Sequence, residues 1–185
     1  FSAADAEIPV SERHEIDRWI ISLLNTLVKD VKSYYEDYEP TKAGRAISDF
    51  VGENLSNWYV RLNRKRYWGG EYDKDKIAAY QTLYTCLVTV AQLMAPIAPF
   101  YADQLYLDLT APHPSQGGAS EAYLNVSENV EMPVSSPLSG ELEGASVHLT
   151  DFPEFDEALI DKNLEECMQL AQQISSMILA LRRKA

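Results

Sequence analysis

The chain has 185 residues, 28 acids against 16 Lys and Arg, a formal net charge of -12 and two cysteines. That length can bury one substantial core, while Cys86 and Cys167, each in apolar-periodic sequence, exclude a disulfide framework or cysteine-rich metal site and fit a reducing compartment. No apolar run approaches the ~18 residues of a membrane span, and no basic-then-apolar leader opens the chain, so a cytoplasmic location is expected.

Residues 1–10 read as a linker. Ser11 offers a cap and Glu12 and Glu15 offer first-turn acids for a helix in which Ile16, Trp19/Ile20, Leu23/Leu24, Leu27/Val28, Val31 and Tyr34/Tyr35 recur at helical spacing. Pro40 ends it, because the residue before a proline resists the helical conformation. Thr41 restarts the pattern, and Ala43, Ala46/Ile47, Phe50/Val51, Leu55, Trp58 and Leu62 carry it to about residue 66. Gly69-Gly70 breaks it. A third helix runs from Ile77 through Tyr80, Leu83/Tyr84, Leu87 and Val90/Ala91 to Met94, and Pro96 and Pro99 separate it from a short fourth through Leu105 and Leu109.

Residues 111–145, rich in Pro, Ser, Gly and Glu, have the composition of a flexible insertion. Ser146-Val147-His148-Leu149 alternates and reads as one short extended segment. A last helix is expected from Asp156, with Ile160, Leu164, Cys167, Ala171, Ile174, Ile178 and Leu181 in steps of four and three. The pattern predicts an all-α protein: an up-down bundle of about four helices over 11–110, with residues 146–185 supplying an extended segment and a long C-terminal helix that packs on the bundle. The last helix reaches the end of the sequence without a cap glycine, the pattern of a piece of a longer protein.

Little here resembles a catalytic centre. His14, His113 and His148 lie in different elements without metal spacing, and neither a phosphate-cradling glycine loop nor a nucleophile elbow is present. No catalytic residue, metal or cofactor is expected of this stretch. The charge is instead informative. From Asp103 to Glu166 fourteen acids meet one cation, Lys162, whereas the remainder has fourteen acids and fifteen cations. The acidity therefore belongs to one segment and does not exclude an anionic partner elsewhere.

The cations concentrate in NWYVRLNRKRYWGG, residues 57–70, where Arg61, Arg64, Lys65 and Arg66 lie between Trp58-Tyr59 and Tyr67-Trp68. On an α-helical wheel Val51, Leu55, Trp58 and Leu62 share a core-facing stripe, and Arg64 faces away from it. Lys65 and Arg66 would turn back toward the core if the helix continued, and burying them unpaired is costly. The helix must therefore end or project there, gathering Arg64, Lys65, Arg66, Tyr67 and Trp68 at one tip. Cations at a helix C-terminus gain from its dipole, but that leaves the aromatics unexplained. Cations with exposed rings are the equipment for unpaired nucleic acid, the cations meeting phosphates and the rings stacking on bases.

LSNWYVRLNRKRYW (55–68) resembles a helix of isoleucyl-tRNA synthetases, and DRWIISLLNTLVKDV (17–31) is similar to the first helix of the anticodon-binding domain of class I synthetases for aliphatic amino acids. LMAPIAPFYADQLY (93–106) resembles the proline turn of that domain, and SVHLTDFPEFDEALID (146–161) resembles the isoleucine enzyme in particular. The resemblance implies a domain that holds the anticodon arm of isoleucine tRNA within a larger ligase. It places tRNA contacts at Arg61, Arg64, Lys65, Arg66, Tyr67 and Trp68, with Tyr59 and Asn63 as secondary candidates. The remaining domains of the parent would be partners, and neither DNA nor a membrane is implied. The ATP-binding signatures of these enzymes, His-Ile-Gly-His and Lys-Met-Ser-Lys-Ser, are absent, so catalysis with ATP and Mg is expected of the parent and not of this stretch. Residues 111–145 match nothing in the family. Two other readings stand beside this one: a protein-interaction module using the heptad-like stripe of the last helix, and an enzyme with its site between helices.

Overall fold

The computed structural model describes residues 6–69, 71–110 and 146–184, which form helices and turns with no strand among the described residues. Helix α1 spans Glu15–Glu36, α2 Pro40–Asp49, α3 Arg64–Trp68, α4 Lys74–Met94, α5 Pro99–Thr110 and α6 Lys162–Lys184. Between α2 and α3, residues Phe50–Val60 coil as a π-helix, and short 3-10 turns form at Val10–Glu12, Val147–Leu149 and Glu157–Leu159.

Helix α1 is the centre of the bundle. It packs against α2, the π-helical segment, α4 and α6, while α4 also holds α2, α3 and α5. Trp19, Ile20, Leu24, Val28 and Val31 of α1 meet Ala43, Ile47, Phe50, Leu55 and Tyr59 from the second coil and Ala79, Cys86, Val90 and Leu93 of α4. Those positions recur at the three-four spacing of one helix face, except between Phe50 and Leu55, where the step is five.

Several boundaries differ from the sequence reading. The cap residue of α1 is His14, not Ser11, and its side chain makes no capping bond. The chain before α1 is anchored at Ile8 and Arg13, both buried: the Ile8 N–H donates to Gln81 Oε1 at 3.0 Å. Arg13 holds the same strand of chain, its Nε and Nη2 donating to the Ile8 carbonyl at 2.9 and 2.8 Å. The segment 146–149 is a 3-10 turn and not extended, because Ser146 folds its hydroxyl back onto the His148 N–H. It docks on α5 through Asp103, whose Oδ1 accepts from the Ser146 hydroxyl at 2.7 Å and the Val147 N–H at 3.0 Å.

The last helix begins at Lys162 and not at Asp156, since Asp161 Oδ1 accepts the Leu164 N–H at 3.0 Å as a cap. Helix α4 is, contrary to expectation, long and apolar enough to cross a membrane. Here it is a core helix, with Gln81 and Thr82 buried and hydrogen-bonded against residues 6–13. The insertion 111–145 lies outside the described residues.

A candidate nucleic-acid interface at helix α3

The basic stretch does not continue as the regular α-helix expected from its spacing. A π-helix places its hydrogen bonds five residues apart, so the inward positions fall at Leu55, Tyr59, Asn63 and Tyr67, all buried. Leu62, which a uniform α-helical wheel assigns to the core, is 55% exposed, and Trp58 is half-buried at the edge of the core. Asn63 ends the coil: its N–H and its side-chain amide both donate to the Tyr59 carbonyl, at 3.1 and 2.9 Å. Its own carbonyl accepts the Arg66 N–H at 2.9 Å, which starts the single turn of α3.

This geometry divides the eight sequence candidates into two sets. Arg61, Arg64, Lys65 and Trp68 are exposed. Trp68 is 72% accessible, and the Arg64 guanidinium carbon lies 4.9 Å from the centroid of its ring, a cation–π stack along one helix face. Tyr59, Asn63, Arg66 and Tyr67 point inward, which corrects the expectation of Arg66 and Tyr67 as surface contacts and of Tyr59 and Asn63 as secondary candidates. Tyr59 is fully buried and donates its hydroxyl to Asp17 Oδ1 at 2.7 Å. Burial, with the neighbouring Tyr67 and the hydrogen-bonded Asp17, raises its pKa far above the usual phenol range. Tyr67 is likewise pushed up to about 12, chiefly by burial, and packs on Tyr80 with centroids 5.4 Å apart.

Arg66 is half-buried and enclosed by its partners, its side chain 16% exposed. Nη1 and Nη2 donate to the two oxygens of Asp17 at 2.9 Å each. Nε and Nη2 donate to Asp75 Oδ2 and Oδ1 at 2.8 and 2.6 Å, and Nη2 also reaches the Asp75 carbonyl at 3.0 Å. Nη1 donates further to Asn63 Oδ1 at 3.0 Å. Burial alone lowers the affinity of a guanidinium for its proton, but the bonds to Asp17 and Asp75 outweigh it and its pKa is raised. The cost of burying an unpaired cation is thereby avoided.

Asp17, with no side-chain exposure, and Asp75 are the residues the sequence reading missed. The signal for Asp17 was present, because it falls on the same face of α1 as Ile20, Leu24 and Val28.

Gly69 closes α3. Its N–H donates to the Lys65 carbonyl at 2.9 Å, and a Cβ at this position would lie 2.9 Å from that oxygen, so a side chain would force the turn open. Beyond it, Lys65, Gly69 and Lys76 share a shallow cleft of about 220 Å³ with Glu71, Asp73 and Asp75. Asp73 caps α4 by accepting the Lys76 N–H at 2.8 Å. The acids bound the cationic face on this side, leaving Arg61, Arg64 and Lys65 as its outward charges. Of the histidines, His14 pairs with Asp75 at 3.0 Å, His148 is exposed in its 3-10 turn, and His113 lies outside the described residues.

A helical bundle with exposed cations and a stacked tryptophan on one short helix has the build of a nucleic-acid-binding module. A family model described as the anticodon-binding domain of tRNA ligase matches residues 17–185, and the chain belongs to this family. It is 55% identical over 184 residues to an isoleucine–tRNA ligase of Bacteroides thetaiotaomicron, covering 100% of this chain and 14% of the relative. An isoleucine–tRNA ligase of Bacteroides fragilis is 56% identical over 184 residues, covering 100% of this chain and 14% of the relative. One of Clostridium acetobutylicum is 43% identical over 159 residues, covering 86% and 13% respectively. The chain thus spans about 14% of the length of these two Bacteroides relatives.

Proposed function

We propose that this chain is the part of a bacterial isoleucine–tRNA ligase that binds the anticodon arm of isoleucine tRNA, with Arg61, Arg64, Lys65 and Trp68 as its contact residues. The observation that carries the reading is the family match over 17–185 together with whole-chain similarity to isoleucine–tRNA ligases. The exposed stack of Arg64 on Trp68 supports the location. The cations meet backbone phosphates, and the ring face not covered by Arg64 takes an unpaired base. Aminoacylation with ATP and Mg belongs to other domains of the parent, which acts in the cytoplasm. This module binds and orients the tRNA for them.

Fluorescence anisotropy of an isoleucine tRNA transcript against the chain, over a salt series, tests this directly. Binding that weakens with salt and prefers the native anticodon loop to a scrambled one is expected. Equal binding of both transcripts would reduce α3 to a backbone clamp, and no binding at low salt would remove the reading.

A second reading has its own observation. Leu170, Ile174, Met177, Ile178 and Leu181 of α6 are all exposed, which favours a contact between α6 and protein, the remaining domains of the parent being the proposed partner. Concentration-dependent sedimentation would instead identify α6 as a self-association seam.

A further inference from the structure

A guanidinium has five N–H donors, and every one on Arg66 is engaged. Two reach Asp17, two reach Asp75 and one reaches Asn63. None is left for a phosphate. The three partners belong to three different parts of the fold: Asp17 to the first turn of α1, Asp75 to the first turn of α4 and Asn63 to the break that precedes α3. Two further bonds enclose the cluster, from Tyr59 to Asp17 at 2.7 Å and between His14 and Asp75 at 3.0 Å. Helix α3 itself is five residues long, too short to hold its direction by its own hydrogen bonds.

From this geometry we infer that Arg66, Asp17 and Asp75 form a latch that sets the direction in which α3 presents Arg64, Lys65 and Trp68 to tRNA. Arg66 is a positioning residue, and Asp75, an acid beside an RNA-binding face, strengthens RNA binding. The inference rests on the reading of α3 as the tRNA contact.

The sign of one substitution separates the latch from an ordinary electrostatic surface. Removing an acid next to a phosphate-binding patch normally tightens RNA binding. If Asp75 holds the latch, Asp75→Asn loosens α3 and weakens binding instead. The expected loss is about three- to tenfold at fixed salt, the size of a broken side-chain coupling.

Arg66→Lys gives an independent arm. Lysine keeps the charge but cannot bond two carboxylates through a planar fork, so its affinity falls comparably. A phosphate-contacting Arg66 would be largely rescued by lysine.

Both variants are measured against the isoleucine tRNA transcript, with a thermal melt beside each. The chain is labelled with 5-fluorotryptophan, and the Trp68 resonance is assigned by Trp68→Phe. The latch predicts that in Asp75→Asn the ¹⁹F resonance of Trp68 moves while that of the buried Trp19 does not. Unchanged or tighter tRNA binding by Asp75→Asn, or rescue by Arg66→Lys, overturns the latch while leaving the tRNA reading intact. Failure of the unsubstituted chain to bind the transcript overturns the tRNA reading, and the latch's role in RNA presentation with it.

Discussion

Tyr38 is the one non-glycine residue among the described residues in the left-handed region, with φ of 57°. It occupies the position just past the C-cap of α1, where the Glu39 N–H donates to the Tyr34 carbonyl at 2.8 Å and the Tyr38 N–H to the Tyr35 carbonyl at 3.1 Å. That pair of bonds is the helix-ending motif for which glycine is the usual residue. The Tyr38 side chain is 91% exposed and contributes little packing. Tyr38→Gly is therefore expected to stabilise the chain by about 0.5–1 kcal/mol, read as a higher urea midpoint with unchanged slope. A lower midpoint would mean that the ring has a stabilising contact.

The cysteines separate just as sharply. Cys86 is fully buried and its thiol is pushed up by burial, while Cys167 is exposed. A thiol reagent at neutral pH should label Cys167 at once and Cys86 only with unfolding. Because the folded pKa of Cys86 lies above the unfolded one, its contribution to stability is complete below the ordinary thiol value of ~8.5 and is lost as pH rises toward the folded value.

The apolar-periodic sequence around both cysteines predicts burial, which holds for Cys86 and fails for the exposed Cys167, and the tendency of Arg66 to turn inward was legible from the helical wheel. The partners that make its burial tolerable were not, since Asp17 lies 49 positions away and Asp75 belongs to the next helix. Local periodicity carries no information about such pairs.

At the scale of elements, the polar face of α1 decides where the C-terminal segment lies. Ser22 accepts the Asp161 N–H at 2.8 Å and donates to Glu165 Oε1 at 2.6 Å. Asn25 accepts the Asp156 N–H at 2.8 Å. Thr26 accepts from Lys162 Nζ at 2.9 Å and donates to the same Glu165 oxygen at 2.9 Å. Ser22→Ala leaves a backbone donor and a carboxylate short of a partner, a loss of about 1–3 kcal/mol. Hydrogen exchange should show faster opening confined to the start of α6, with α1 and α4 unaffected. Uniform acceleration would mean that α6 is integral to the global core.

The helices themselves were readable because three-four spacing is a direct image of one buried face. The extra residue in the coil between Phe50 and Leu55 was not, because one wide turn leaves the composition of the stretch unchanged while shifting every later side chain. Leu62 and Tyr59 exchange faces for that reason.

Over the whole molecule, charge is segregated. The segment from 103 to 166 carries the acidity, whereas Arg61, Arg64 and Lys65 stand outward at α3, on the end of the bundle where α1 and α4 begin. If α3 is the RNA contact, this segregation sets an outward cationic cluster against a segment that repels RNA, which favours a defined docking orientation over indiscriminate binding. If each outward cation neutralises one phosphate, Arg64→Ala lowers the slope of log affinity against log salt by about 0.7–0.9. It should leave the melting temperature within the small range of a surface substitution. An unchanged slope would place Arg64 outside the RNA contact.

The π-helical coil has a consequence for how this stretch tolerates change. Gly52 has no atom within 4 Å of where a side chain would begin, so many substitutions fit there. Its deletion is another matter. One residue fewer closes the five-residue step from Phe50 to Leu55 to the four of ordinary α-helical winding, so Leu55, Tyr59 and Asn63 stay on the inward face only if the wide turn is lost with it. Leu62 would then remain outward, Tyr59 inward, and the outward set at α3 would be unchanged. What inheritance must preserve between Phe50 and Asn63 is therefore the match of count to winding: a residue lost together with the wide turn leaves every later side chain on its face, whereas either loss alone turns them all.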